Sequence, residues 1–432
     1  MKVILNQFSA VKRSLKNKFV QNMATMLAGN ITAQALVLLA APVLTRLYTP
    51  NDFGIMTFIQ SGAGIFSVIA CFRYRFSILL PAEDEQSNNL LTLSLLATVF
   101  TTLFLLMVII LFKNVIAQNT ELGTYGNYLF FIVFIVFIVG SRETLVFFHT
   151  RLKNYKIISI SIILMTIIGL GVKIGAVFFF SASAFWLVMG NVVGPLLSGL
   201  ILFICLRQIL PEIKKNVNLA GIRKVAQKYY RFPLYNMPTA LINSISENLP
   251  VLLFAYYFSN KVVGLYGLAN VVLKKPLDVI SQSISKVFFE KSSALVKDGG
   301  DLYKDLKKTT LALFGIGIVP VAVMTIWGST IFQLIFGAEW KGSGIYAQIL
   351  SVYLFVLMIN KPSAQIYFVK NLLRENLYFK ITNLLLILLA FFIGMYNFNS
   401  DLICLLLFSL FGVALNAVYI AYAFLNCKKC EQ

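Results

Sequence analysis

The chain has 432 residues, 59% of them hydrophobic and only 12% charged, with 38 Phe and a mean hydropathy of +0.81. A soluble domain carries about 25% charged residues, so half that share on so long a chain cannot cover a water-facing surface. This excludes a soluble enzyme, a disordered chain and a disulfide scaffold, and marks an integral membrane protein. The formal net charge of +20 then points to loops beside anionic lipid, not to nucleic acid.

Residues 1–19 form a basic N-terminus (Lys12, Arg13, Lys16, Lys18) with no evident cleavage site, so the apolar segment after it is expected to stay attached as the first span. A span needs about 20 mostly apolar residues. Six such windows fall within 20–206, at 20–44, 53–78, 90–112, 128–148, 157–180 and 185–206. A basic connection, 207–231, precedes six more within 232–425, at 232–258, 264–288, 310–336, 345–369, 377–395 and 402–425. The expected fold is all-α, with twelve transmembrane helices. Strands of an outer-membrane barrel would alternate over about ten residues instead of staying apolar.

Orientation follows from the basic residues. With the N-terminus in the cytoplasm, about 27 of the 37 Lys and Arg fall in cytoplasmic loops, Lys380 among them. The outer loops keep Arg46, Lys113, Lys261 and Lys341. A bias sustained loop by loop is what the positive-inside rule requires, and it places both termini in the cytoplasm. The tail, 426–432, contains Cys427-Lys-Lys-Cys430. Zinc needs a second pair at similar spacing, and none exists, so two reduced cytosolic thiols and no metal or other cofactor are expected.

The two halves carry traces of a repeat. Thr49-Pro-Asn-Asp-Phe-Gly opens the second span, and Ser259-Asn-Lys-Val-Val-Gly opens the eighth, aligning Gly54 with Gly264. A weaker match pairs Arg151-Leu-Lys-Asn-Tyr with Arg374-Glu-Asn-Leu-Tyr, after the fourth and tenth spans. Six crossings separate the copies, so both have one orientation. Such parallel repeats form transporters with the substrate site between the halves.

Leu44-Thr-Arg-Leu-Tyr-Thr-Pro-Asn-Asp-Phe-Gly resembles the first-span exit of the polysaccharide-transporter branch of the multidrug/oligosaccharidyl-lipid/polysaccharide exporter superfamily. Arg73-Tyr-Arg-Phe-Ser-Ile-Leu-Leu-Pro-Ala-Glu-Asp-Glu and Val263-Gly-Leu-Tyr-Gly-Leu-Ala-Asn resemble two further stretches of that family. Its members include the Wzx-type O-antigen flippases. The resemblance implies two six-helix bundles in a V around a central cavity, and translocation of undecaprenyl-diphosphate-linked oligosaccharide across the bacterial inner membrane. The glycan polymerase machinery is the further partner it implies.

A charge at the bilayer centre costs about 2.5–3.5 kcal/mol on insertion scales and normally faces protein or a wet cavity. Arg142, Lys173 and Lys286 lie within about two turns of a window end, so their stems are expected to snorkel, and Arg142 is also placed to pair locally with its neighbour Glu143. Glu247, Lys274, Lys275 and Asp278 are about ten or more residues from either end of their windows. Lys274 and Asp278 share a helical face with Ser281 and Ser285. Asn236, Asn243 and Glu247 form a matching stripe on the seventh span, and Asn22, Asn30 and Gln34 one on the first. Lipid offers these stripes no partners, so they are expected to face one cavity, joined by Lys361 beside Pro362.

Two readings follow. In one, Lys274, Lys275 and Lys361 attract the diphosphate, Asn30, Gln34 and Asn243 also bind the substrate, and Glu247 or Asp278 exchanges H⁺ or Na⁺. In the other, Lys274–Asp278 and Glu247–Lys275 are structural ion pairs. A drug/cation antiporter of the same superfamily is the nearer rival function, although a cationic drug favours an acidic cavity. A membrane glycan-modifying enzyme needs a placed base. The single His, His149, falls at a cytoplasmic span end as an interfacial residue, so no enzyme is expected.

Overall fold

A computed structural model describes residues 18–118, 123–298, 301–370 and 372–428. The basic stretch before Lys18 and Cys430 lie outside the described residues, as do the side chains of Asn22 and Lys286. Among the described residues the chain is helical, without strands. Two compact units emerge: the first over the described parts of Met1–Leu47, Ile59–Ala117 and Gly123–Ser244, the second over those of Tyr48–Phe58, Gln118–Leu122 and Ile245–Gln432.

The helices in chain order begin with α1 (Lys18–Leu47), α2 (Pro50–Ser67), α3 (Asp84–Gln118), α4 (Leu129–Arg151), α5 (Tyr155–Gly175) and α6 (Ala184–Cys205). Two short ones, α7 (Leu210–Asn216) and α8 (Leu219–Lys228), follow. The remaining six are α9 (Met237–Tyr257), α10 (Asn260–Asp298), α11 (Leu302–Phe336), α12 (Lys341–Val369), α13 (Leu373–Phe398) and α14 (Asp401–Lys428). Apart from α7 and α8, each falls on one of the twelve apolar windows. Nine of these twelve, among the described residues, are long and apolar enough to cross a membrane by length and composition. The three that fall short are α2, α9 and α10. The last two carry Glu247, Lys274, Lys275 and Asp278, which is why their apolar windows are diluted.

The second span is shorter than its window, 53–78. Its helix stops at Ser67, and Phe72 and Arg73 take positive φ (49° and 64°), a region that closes a helix for residues with a Cβ. A 3₁₀ turn, Tyr74–Leu79, then folds back into the first unit. Arg151 at the end of α4 donates to the carbonyls of Ile78 (3.3 Å), Pro81 (2.6 Å) and Ala82 (3.3 Å) and pairs with Asp84 at 2.8 Å. A residue read as a loop charge is thus the clamp on this turn.

The connection after α6 is structured as well. Asn89 on α3 donates to the carbonyl of Asn216 at 3.2 Å and accepts from the amide of Asn218 at 3.3 Å, tying the α7–α8 junction down. Asn218 in turn accepts from the Gly221 amide at 2.6 Å as the N-cap of α8. Ile213 and Val225 bury against Leu90, Leu145, Phe148, Ile158 and Leu202 in one cluster.

In the second unit α10 is one continuous helix of 39 residues, about 58 Å at 1.5 Å per residue. It outruns the roughly 30 Å apolar core of a bilayer, so much of the stretch between the eighth and ninth windows is helix, with Lys291 paired to Asp305 at 2.5 Å. The first turns of α2 belong to this unit, and there the repeat becomes physical. A Cβ on Gly54 would lie 1.7 Å from the Asn260 carbonyl oxygen; one on Gly264 would lie 1.8 Å from that of Pro50. Gly54 and Gly264, like Pro50 and Asn260, are the aligned positions. The contact is reciprocal, residue to residue, as an isologous two-fold contact requires. The weaker sequence match has no such counterpart: Arg151 clamps carbonyls, whereas Arg374 donates to the Tyr378 hydroxyl at 2.8 Å.

Candidate functional site

Four helices of the second unit bring charged residues together. Lys274 on α10 pairs with Glu247 on α9 at 3.4 Å, and Asp278 on α10 pairs with Lys361 on α12 at 3.5 Å. Lys380 on α13 stands within electrostatic reach of both Glu247 and Lys361, and Tyr353 on α12 is likewise coupled to Glu247. Lys275 is exposed and makes no ion pair among the described residues.

The expected pairs, Lys274–Asp278 and Glu247–Lys275, do not form. A Lys placed four residues before an Asp is the poorer order for a pair along one helix. Pairing across helices gives each carboxylate its own ammonium.

These contacts are loose. Glu247 keeps 66% of its side-chain surface exposed and Lys361 40%, so each pair is worth only about 0.2–1 kcal/mol. That is below the cost of placing even one such charge in a span, so stability alone does not account for the cluster. Four ammonium groups, Lys274, Lys275, Lys361 and Lys380, stand against two carboxylates, Glu247 and Asp278. Two of the cations are paired with these carboxylates, and the cluster keeps an excess of two positive charges.

Asn30, Gln34 and Asn243 belong to the first unit and take no part in these pairs. Asn30 donates to the Met26 carbonyl of its own helix at 3.1 Å; the Gln34 Oε1 is buried without a partner among the described residues. Asn236, on the same stripe, accepts from Arg73 Nε at 2.8 Å. Lys380 was hidden in the sequence. It lies only three residues into the window 377–395 and so counted with the cytoplasmic loop, yet α13 begins at Leu373 and carries Lys380 two turns inside.

Two residues expected to snorkel do not. Arg142 is 6% exposed: Nε donates to Ser198 Oγ at 2.9 Å, Nη1 pairs with Glu143 at 2.8 Å, and Nη2 is buried without a partner among the described residues. Lys173 donates to Asn191 Oδ1 at 2.7 Å across α5 and α6. His149 is fully buried in the protein, its Nε2 against the Leu202 carbonyl at 2.9 Å and its Nδ1 accepting from Asn154 Nδ2 at 3.4 Å. It fastens α4 to α6 inside the first unit and is not a free base. Among the described residues, no group of three His, Cys, Asp or Glu side chains could hold a metal ion.

The family model described as "polysaccharide biosynthesis protein" matches residues 43–344. No curated protein matches the sequence. Among solved structures, the chain is similar to the lipid II flippase MurJ in an inward closed conformation, at TM-score 0.68 and 12% identity over 94% of this chain and 90% of that one. It is similar to an inward-facing multidrug resistance MATE family transporter of the MOP superfamily, at TM-score 0.64 and 11% identity over 92% and 95%. A third, a MOP superfamily transporter from Pyrococcus furiosus with a binding pocket of reversed polarity, aligns at TM-score 0.55 and 13% identity over 96% of both chains. At such identities the likeness is one of fold.

Proposed function

The chain belongs to the polysaccharide biosynthesis protein family and has the fold of MOP superfamily transporters, and from that premise we propose that it flips a diphosphate-linked lipid oligosaccharide from the cytoplasmic to the outer leaflet of a bacterial inner membrane. The observation that carries this reading is the positive excess around Glu247, Lys274, Asp278, Lys361 and Lys380. A diphosphate bears more negative charge than either carboxylate, and Lys binds phosphate as a point charge. The incoming headgroup displaces Glu247 from Lys274 and Asp278 from Lys361, because neither pair is held by more than about 1 kcal/mol. A carboxylate so released takes up H⁺ or Na⁺, which couples the carrier's change of access to an ion gradient. Lys275, exposed beside Lys274, completes the cationic lining.

Substitutions test this directly. Lys274→Ala and Glu247→Gln are expected to abolish surface glycan while the protein still inserts, with lipid-linked precursor accumulating in the cell. Normal surface glycan in both variants would overturn the assignment. A drug/cation antiporter would need an acidic excess where this cluster is basic. In a deletion strain, precursor accumulation with unchanged drug susceptibility is the expected result, and the reverse pattern favours the antiporter.

A further inference from the structure

Outside that cluster, the turn after α2 in the first unit holds two cations with no carboxylate partner among the described residues. Arg73 and Arg75 border one ring: the Arg73 Cζ lies 4.3 Å from the Phe76 centroid and the Arg75 Cζ 5.2 Å from it, and Arg75 also stands 6.0 Å from the Phe147 ring on α4. We propose that this arginine pair binds a phosphate group carried by a membrane lipid.

The contacts of both side chains are neutral. Arg73 Nε donates to Asn236 Oδ1 at 2.8 Å. Arg75 is 9% exposed, and its Nε is buried without a partner among the described residues. The carboxylates of the adjoining chain and of α4 are engaged elsewhere. Asp84 pairs with Arg151 and Glu143 with Arg142, Glu83 accepts from Gln86, and Glu85 is exposed at the start of α3. The two guanidinium groups instead repel each other. Contact with a ring returns less than an uncompensated buried charge costs, so the rings position these arginines without balancing them.

The backbone is shaped to hold them there. Phe72 and Arg73 take left-handed φ, 49° and 64°, a conformation that costs any residue with a Cβ. Tertiary contacts impose it. Phe72 meets Phe100 edge-on at 6.0 Å, Phe76 meets Phe147 at 4.8 Å, and the Tyr74 hydroxyl donates to the Ala226 carbonyl of α8 at 3.4 Å. Strain of this kind collects where a ligand is held.

Charge, shape and place define that ligand. A guanidinium presents a planar fork of donors that fits phosphate two bonds at a time. Two such forks match a group with more than one negative charge better than a single carboxylate. The turn closes the second span and is bonded to α8, in the basic connection between the sixth and seventh, which sets it at the boundary where lipid phosphates lie. The phosphate has two sources, the diphosphate of the cargo before it moves inward or the headgroup of a resident phospholipid. The site shares no residue with the Lys274–Lys361 cluster, and its assignment stands whichever cargo is carried.

Phenylglyoxal, which modifies arginine in preference to lysine, reads this site apart from that cluster. The purified protein in phosphate-free dodecyl maltoside is treated with it, and modification of Arg73 is followed by mass spectrometry, with the exposed Arg223 on α8 as internal reference. Farnesyl diphosphate and phosphatidylglycerol are added separately, and diacylglycerol serves as the neutral control. A lipid phosphate is expected to slow modification of Arg73 several-fold while Arg223 reacts as before and diacylglycerol has no effect. Protection by farnesyl diphosphate alone identifies a cargo headgroup as the source; protection by phosphatidylglycerol makes resident lipid an occupant. Half-protection is expected to need about tenfold more ligand in Arg75→Gln and an unchanged concentration in Lys274→Ala. If Arg75→Gln does not fold, Arg75→Lys, which keeps the charge and loses the fork, carries the comparison. Where Arg73 reacts too slowly to follow, the ligand-dependent rise in thermal unfolding midpoint is compared between the same variants. No effect of either lipid, equal slowing at Arg223, or wild-type affinity in the Arg75 variant overturns the proposal.

Discussion

Arg142 is the side chain whose neighbours matter most to the first unit. Its guanidinium is held inside the bundle by Glu143 and Ser198, with one nitrogen left over. Removing one partner of a buried ion pair leaves the other charge uncompensated, at about 3–5 kcal/mol. Glu143→Ala is therefore expected to lower stability by about 3 kcal/mol, measured as a lower thermal unfolding midpoint in detergent. Arg142 looked like a snorkelling residue because distance along the chain to the nearest window end was the available measure. Which way the side chain points depends on α6, fifty-six residues later, where Ser198 waits. Lys173 is hidden in the same manner, by Asn191, while Lys380, at the edge of its window, counted as a loop charge until the helix start at Leu373 placed it two turns inside. The mid-span positions of Glu247, Lys274, Lys275, Asp278 and Lys361 could be read directly, because counting residues from a span end needs no partner. Their pairing could not, since it is settled by α9 and α12 lying against α10.

Helices meet where side chains are absent. The crossing of α2 and α10 rests on Gly54 and Gly264, each against a backbone carbonyl of the other helix. Backbone cannot step aside as a flexible side chain can, so Gly54→Ala and Gly264→Ala are each expected to cost roughly 3 kcal/mol, the upper end of overpacking effects. The reciprocity of the contact predicts losses of similar size at the two positions. Yields of folded protein and its resistance to protease in membranes measure both. Gly171→Ala is the control: open space surrounds that position, and Ala stabilises a helix interior over Gly by about 1 kcal/mol. The same scale explains why α2, α9 and α10 score poorly as spans. A helix that serves a crossing or a charged cluster exchanges apolar residues for Gly, Asn and Lys, and a hydropathy window registers only the loss.

For the molecule as a whole, the distribution of Lys and Arg predicts which loops face which side. Cysteines substituted for Lys113 and Lys341 are expected to react with a membrane-impermeant thiol reagent added to intact cells, and one substituted for Lys214 only after the membrane is opened. Labelling in the opposite sense would invert every loop. Composition alone determined that this is a membrane protein, because polar surface cannot be conjured from 12% charged residues. Twelve apolar windows and the Gly54–Gly264 alignment were also legible, since span length and local backbone crowding are recorded residue by residue. Only the tertiary structure decided which carboxylate meets which lysine, that Lys380 joins them, and that Lys173 meets Asn191. Each of those depends on distances between helices far apart in sequence, and a linear pattern stores no such distance.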